Sequence, residues 1–141
     1  MRAVIPTIIT QALTKDEIRL GSVSPTRDLT FVLDTVEGFI KVAESPRSVG
    51  EVINIGGGFE ISIGDLATKI CSLMGKELPI VSEEQRKRPT KSEVNRLYAD
   101  NRKAKKLIGW EPKVSLDEGL QRTISWISSA LNLYQPDKYY V

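Results

Sequence analysis

The chain has 141 residues, 20 Lys and Arg against 18 Asp and Glu, no His and a single Cys. Without His there is no Ser-His-Asp triad, no Cys-His pair and no His-based metal site. With Cys71 alone there is no intrachain disulfide and no zinc knuckle. An apolar content of 40% argues against wholesale disorder, and a net charge of +2 does not by itself point to nucleic acid.

Residues 2–13 place Val4, Ile5, Ile8, Ile9, Ala12 and Leu13 on one stripe, which predicts a short helix starting near Pro6. Glu17–Leu20 reads as a short strand and 22–26 as a loop. Arg27–Leu33 is expected to be a strand. Asp34 and Glu37 then have the spacing of a capping box, opening a helix that buries Val36, Phe39, Ile40 and Ala43. Glu51–Ile55 reads as a strand closed by Gly56-Gly57-Gly58, and Phe59–Ile61 as a shorter one.

Ser62-Ile63-Gly64-Asp65 is a second capping signature. Its helix buries Ile63, Leu66, Ile70, Leu73 and Met74, and Gly75 stands where a left-handed C-cap is wanted. Cys71 falls in this pattern as a small buried hydrophobe. Leu78–Val81 reads as a strand and 83–96 as a polar, basic loop leading to an extended segment at Val94–Tyr98. Asp100 caps a helix over 101–108 that ends at Gly109. Ser115 to Glu118 is the third capping box, with Leu116, Leu120, Ile124, Ile127 and Leu131 inward. Trp110 and Trp126 are expected in the core. The outline is α/β, with four or five helices and short strands.

The charge is uneven. Arg86 to Lys106 holds nine basic and two acidic residues, a net +7, and the remainder carries −5. The N-terminus lacks signal-peptide organisation, and no stretch approaches the roughly 20 apolar residues of a membrane span. A soluble, cytoplasmic protein is therefore expected.

Several segments, in order, resemble the C-terminal part of the extended short-chain dehydrogenase/reductases, the NAD-dependent nucleotide-sugar epimerases and dehydratases. They are residues 2–6 (RAVIP), 27–32 (RDLTFV) leading to Asp34, 52–56 (VINIG), 88–94 (RPTKSEV), and 99–112 from Ala99-Asp100 to Gly109-Trp110-Glu111-Pro112. The match is nearest to the 4,6-dehydratases. It implies the C-terminal, substrate-binding portion of a Rossmann-type enzyme. Residues 1–131 would be a nucleotide-sugar-binding domain, including elements that complete the sheet of a missing N-terminal half, and 132–141 a tail.

The resemblance implies substrate contacts as well. Arg2, Arg27 and Arg88 map to arginines that meet a diphosphate, a task suited to the planar guanidinium. Glu93 maps to an acceptor for a ribose hydroxyl. Ile18, Arg19 and Leu20 map to a strand that sandwiches the base, with Asn54 near the same pocket.

Two family features are missing from the sequence. No Gly-x-x-Gly-x-x-Gly turn is present, and Gly56-Gly57-Gly58 lacks that spacing, so it reads as a tight turn. The string Tyr-x-x-x-Lys occurs once, at Tyr134 and Lys138, where Pro136 interrupts helical spacing. The expectation is thus a lyase- or isomerase-type sequence with no catalytic residue and no cofactor bound by this chain. NAD or NADP is implied for a complete enzyme, which would oxidise the sugar transiently at C4, lose water across C5–C6 and return hydride at C6. Partners would be a nucleotide-diphosphate sugar, the missing half and a second copy. The alternatives are a nucleic-acid module using the +7 segment and a non-enzymatic interaction domain.

Overall fold

A computed structural model describes residues 3–87, 89 and 92–134. The order of elements is α1 (Val4–Thr14), β1 (Ile18–Leu20), β2 (Thr26–Arg27), α2 (Val32–Glu44), β3 (Ile61–Ser62), α3 (Ile63–Leu73), β4 (Ile80–Ser82), α4 (Arg102–Ile108) and α5 (Leu116–Ser129). The chain divides into two units. Unit 1 comprises Met1–Pro25, Ser62–Asn95 and Leu120–Val141, and unit 2 comprises Thr26–Ile61 and Arg96–Gly119.

Unit 1 is built on α1. Pro6 sits in its first turn, where a missing N–H leaves no bond unmade. Ile8, Ile9 and Ala12 are fully buried, and the helix packs on α3 and β1. Gln11, also buried, treats β1 as a neighbouring strand would. Its Oε1 accepts from the Arg19 N–H at 2.7 Å, and its Nε2 donates to the Arg19 carbonyl at 3.1 Å. β1 pairs in parallel with β4, Ile18 opposite Ile80 and Leu20 opposite Ser82.

α3 opens as its sequence requires. Ser62 Oγ accepts from the Asp65 N–H at 3.0 Å. Past its other end Gly75 takes a φ of +66°, the left-handed geometry that spares a side chain strain. In α5 the Glu118 N–H reaches Ser115 Oγ at 3.2 Å, and Leu120 and Ile127 are buried. Trp126 departs from expectation. It is 55% exposed, with its ring edge-on to Tyr134 at 6.0 Å. One residue before Ile127 is about 100° around the helix, which turns Trp126 off the buried stripe.

Unit 2 corrects four expectations. First, Arg27–Leu33 is not one strand. Only Thr26–Arg27 is a strand, Thr26 bridges Arg96 in parallel, and helix α2 has begun by Val32. Second, Asp34 is no N-cap. It lies inside α2, 3% exposed, and its carboxylate accepts from the Lys113 N–H at 3.2 Å and the Val114 N–H at 3.0 Å. Glu37 pairs with Lys113 at 2.7 Å instead of reaching back to the helix start. Third, the expected buried face of α2 is exposed, Val36 at 46%, Phe39 at 69% and Ile40 at 51%. The helix turns Asp34 and Gly38 inward, and a Cβ on Gly38 would lie 2.8 Å from Ile55 Cγ2.

Segment 51–55 is not a strand either, because no neighbouring strand pairs with its main chain among the described residues. α4 ends at Gly109, with φ +61°, and the next residue, Trp110, is fully buried with its indole N–H on the Asp34 carbonyl at 2.9 Å. Among the described residues no helix is long and apolar enough to cross a membrane.

Candidate functional site

The residues proposed for substrate fall in both units. In unit 1, β1 alternates: Ile18 and Leu20 turn into the core and only Arg19 reaches solvent. Arg19 Nη2 meets Glu17 and Nη1 meets Glu83 at 3.0 Å. These two carboxylates, Glu17 first, raise the guanidinium above its ordinary pKa. Glu83 is lowered in turn, chiefly by its hydrogen bond from Arg86. Glu83 and Arg86, which follow β4, thus form an Arg–Glu–Arg chain with Arg19 of β1. Glu93 lies half-buried in the same unit. Arg2 and Arg88 lie outside the described residues, as do Pro136 and Lys138.

In unit 2, Arg27 ends β2, half-buried, with Nη1 donating to the Thr26 carbonyl at 2.8 Å. The next residue, Asp28, is a hub that sequence reasoning overlooked. Its carboxylate accepts from the Gly57 N–H at 2.6 Å, the Gly58 N–H at 2.9 Å and the Ala99 N–H at 3.1 Å. One side chain thereby joins three stretches of main chain. The approach leaves no room for side chains: a Cβ on Gly56 would lie 2.3 Å from Ala99 Cβ, and one on Gly57 would lie 2.8 Å from Asp28 Oδ1. Asn54 is exposed, and its Nδ2 is 3.4 Å from the Asp100 carbonyl. A signal for Asp28 was present, an acid directly after the motif arginine and three glycines in a later turn, but nothing in the sequence joins the two.

The same contacts test the triglycine against a dinucleotide. A pyrophosphate cradle needs main-chain N–H groups pointing at an anion from a turn that opens a helix. Here the Gly57 and Gly58 N–H groups already bind a carboxylate, and the next helix, α3, starts only at Ile63. The turn does not fit NAD. Among the described residues no cluster of three or more His, Cys, Asp or Glu could hold a metal.

The basic segment is mostly paired. Arg86 binds Glu83, Lys87 binds Glu84, Arg96 binds Glu60, Arg102 binds Asp100, Lys103 binds Glu51 and Lys105 binds Glu111. Arg96 and Arg102 hold their partners, Glu60 and Asp100, at pKa values of about 2 through side-chain hydrogen bonds. An open hollow of about 500 Å³ in unit 2 is lined by Lys41, Arg47, Lys105 and Lys106. It lies at the C-terminal end of α4, where Lys41 donates to the Gly109 carbonyl at 2.8 Å and Arg47 to the Lys106 carbonyl at 3.1 Å. Cations at that end cap its last carbonyls, so the hollow is a helix stop. A second hollow, of about 790 Å³ in unit 1, borders Cys71, whose thiol pKa burial pushes up, and Lys76.

Comparison with known proteins agrees with the motif reading. The GDP-mannose 4,6 dehydratase family matches residues 1–123. The chain is 35% identical over 120 residues to a UDP-glucuronate 4-epimerase of Thermodesulfobacterium geofontis, covering 84% of this chain and 35% of that protein. It is 30% identical to a dTDP-glucose 4,6-dehydratase of Xanthomonas campestris pv. campestris, covering 86% of this chain and 36% of that protein. Among solved structures, a Bacillus cereus UDP-glucuronic acid 4-epimerase in complex with UDP-glucuronic acid and NAD superposes with a TM-score of 0.81 at 30% identity. That match covers 94% of this chain and 40% of the enzyme.

The fold and motifs define a Rossmann-type nucleotide-sugar epimerase/dehydratase sequence. The chain belongs to the extended short-chain dehydrogenase/reductases, in the NAD-dependent epimerase/dehydratase family. It spans about a third of the length of the curated relatives it matches.

Proposed function

We propose that this chain is the nucleotide-sugar-binding portion of a 4,6-dehydratase or 4-epimerase, with Arg27 and Arg88 holding the diphosphate and Arg2 as a third contact. One observation carries the reading. The family match runs through Arg27 and Asp28, and Asp28, directly after β2, ties this segment to the 56–58 turn and to Ala99. Arg27 thus projects from main chain whose next residue is anchored to two other stretches, which suits a donor that must meet an anion without reordering. Glu93 would accept from the ribose, the β1 main chain and Arg19 would flank the base, and Asn54 would steady the pocket.

On this reading the chain positions substrate, and redox and acid–base chemistry belong to polypeptide it does not contain. It is a fragment, inactive alone, and the buried Cys71 thiol suits a reducing, cytoplasmic setting. The test is calorimetry with UDP-glucose, GDP-mannose and dTDP-glucose. One of the three should bind, and Arg27→Ala and Arg88→Ala should each weaken binding about tenfold or more. Absence of binding by all three, or binding indifferent to both substitutions, overturns the assignment. Turnover by the purified chain with added NAD overturns its inertness.

A further inference from the structure

β1 carries one side chain to solvent, and that side chain is held by its rim. Ile18 and Leu20 are buried, while the Arg19 side chain is 54% exposed. Its Nε donates to Glu17 Oε1 at 2.6 Å, and Nη2 meets the same oxygen. Its Nη1 donates to Glu83 Oε1 at 3.0 Å, and Glu83 is itself paired with Arg86. All three nitrogens are thus engaged at the edge of the guanidinium by two carboxylates. A guanidinium bound in this way keeps its orientation, and what it still offers a ligand is its flat face. The β1 main chain is committed as well. One edge pairs with β4, and the ladder continues from the Ile18 N–H to the Pro79 carbonyl and from the Glu83 N–H to the Leu20 carbonyl. On the other edge Gln11 binds both the N–H and the carbonyl of Arg19. Reading the edge of a nucleobase takes donors as well as acceptors, and the N–H that Arg19 turns away from β4 is already spent.

We propose that Arg19 is a specificity-determining residue: its guanidinium face stacks on the nucleobase of the bound nucleotide sugar and favours a purine over a pyrimidine. This rests on the reading that β1 flanks the base, and it says what the strand can do there. Stacking needs a flat, weakly hydrated surface that is held still, and the contacts with Glu17 and Glu83 hold this one. The two carboxylates also offset the charge of Arg19, so the attraction comes from overlap of planes rather than from a point charge. A plane reads ring area and not the pattern of donors and acceptors. The two fused rings of guanine therefore rank above the single ring of uracil or thymine.

The test is calorimetry on the chain with GDP-glucose and UDP-glucose, which differ only in the base, and with inorganic pyrophosphate, which has none. GDP-glucose should bind about threefold or more tighter than UDP-glucose. Arg19→Ala should weaken GDP-glucose about tenfold, bring the two nucleotide sugars level and leave pyrophosphate unchanged. Arg19→Lys keeps the charge and loses the plane, so it should behave as Arg19→Ala. Arg19→Trp restores a plane without the charge and should recover GDP-glucose binding to within about threefold. A residue that only pairs with Glu17 and Glu83 would be rescued by Lys and not by Trp, and that pattern overturns the proposal. GDP-glucose binding indifferent to Arg19→Ala overturns it as well, and so does equal or tighter binding of UDP-glucose by the unsubstituted chain. Arg27→Ala reads the diphosphate separately, because it should weaken pyrophosphate along with both nucleotide sugars. Pyrophosphate binding that depends on Arg27, beside GDP-glucose binding indifferent to Arg19, sinks the stacking and leaves the diphosphate reading in place. Absence of binding by all three ligands overturns both.

Discussion

Helices α1 and α2 are similar in length and both carry a full apolar stripe, yet α1 buries its stripe and α2 displays it. Unit 1 closes a core of its own, in which Ile8, Ile9, Ile18, Leu66 and Ile70 are all fully buried. Unit 2 has a smaller core, centred on Trp110 and Ala104, and relies on carboxylates as crosslinks: Asp34 on the 113–114 main chain and Asp28 on three N–H groups. A hydrophobic stripe states that a helix needs a cover. It does not state that the cover lies in the same chain.

The sharpest probe of this contrast is the core residue on which unit 2 depends. Trp110→Ala removes a fully buried ring and its hydrogen bond to the Asp34 carbonyl, and should cost about 3–5 kcal/mol in urea unfolding. Hydrogen exchange should then show unit 2 opening while α1, β1 and α3 stay protected. Ile70→Ala in unit 1 should cost about 2–5 kcal/mol and loosen the opposite set. If both variants lose protection everywhere at once, the two units fold as one and the contrast fails.

Next come the polar crosslinks. Asp28→Ala leaves three N–H groups without their acceptor and should cost about 2 kcal/mol or more. Gln11→Leu in unit 1 strands the N–H and carbonyl of Arg19 and should cost about 1–3 kcal/mol. Chemical-shift changes should centre on Gly57, Gly58 and Ala99 in the first variant and on β1 in the second.

These crosslinks also mark how far the sequence could be read. Ser62, Ser115, Gly75 and Gly109 were legible because each acts on its own helix end, within a few residues. Asp34 misled for the same reason. Its spacing to Glu37 imitates a capping box, but its partners lie about eighty positions on, where local pattern carries no information. Segment 51–55 has strand composition without a strand partner, and β pairing needs two sequences. For the candidate site, motif order nominated Arg27 and its neighbours as candidates. The roles of Asp28 and Gln11 depend on which loops meet, which no spacing encodes.

A smaller effect separates the helices directly. Phe39→Ser on α2 should change the stability of the isolated chain by no more than about 0.5 kcal/mol, as for an ordinary surface site. Ile9→Ser on α1 places a hydroxyl and a cavity in a fully buried position and should cost several times more, about 2–5 kcal/mol. Equal costs would show that α2 is covered in the isolated chain.

The least disruptive probe is acid. Glu60 in unit 2 accepts three hydrogen bonds from Arg96 and one from Thr26, which hold its pKa at about 2 against an ordinary 4.5. A carboxylate with a folded pKa below its unfolded value binds protons more readily when unfolded. Its stabilisation is therefore complete above about pH 4.5 and is lost as the pH falls toward 2. Both partners reach solvent, so salt should shrink the effect. Arg96→Met should raise the Glu60 carboxyl titration toward 4.5, read from its side-chain carbon resonance, and flatten the acid limb of the stability curve. In unit 1, Glu83 should keep its depressed value in that variant, because Arg86 and Arg19 sustain it. If Glu60 still titrates near 2 without Arg96, the Thr26 hydroxyl holds the carboxylate by itself, and the ion pair adds nothing to unit 2.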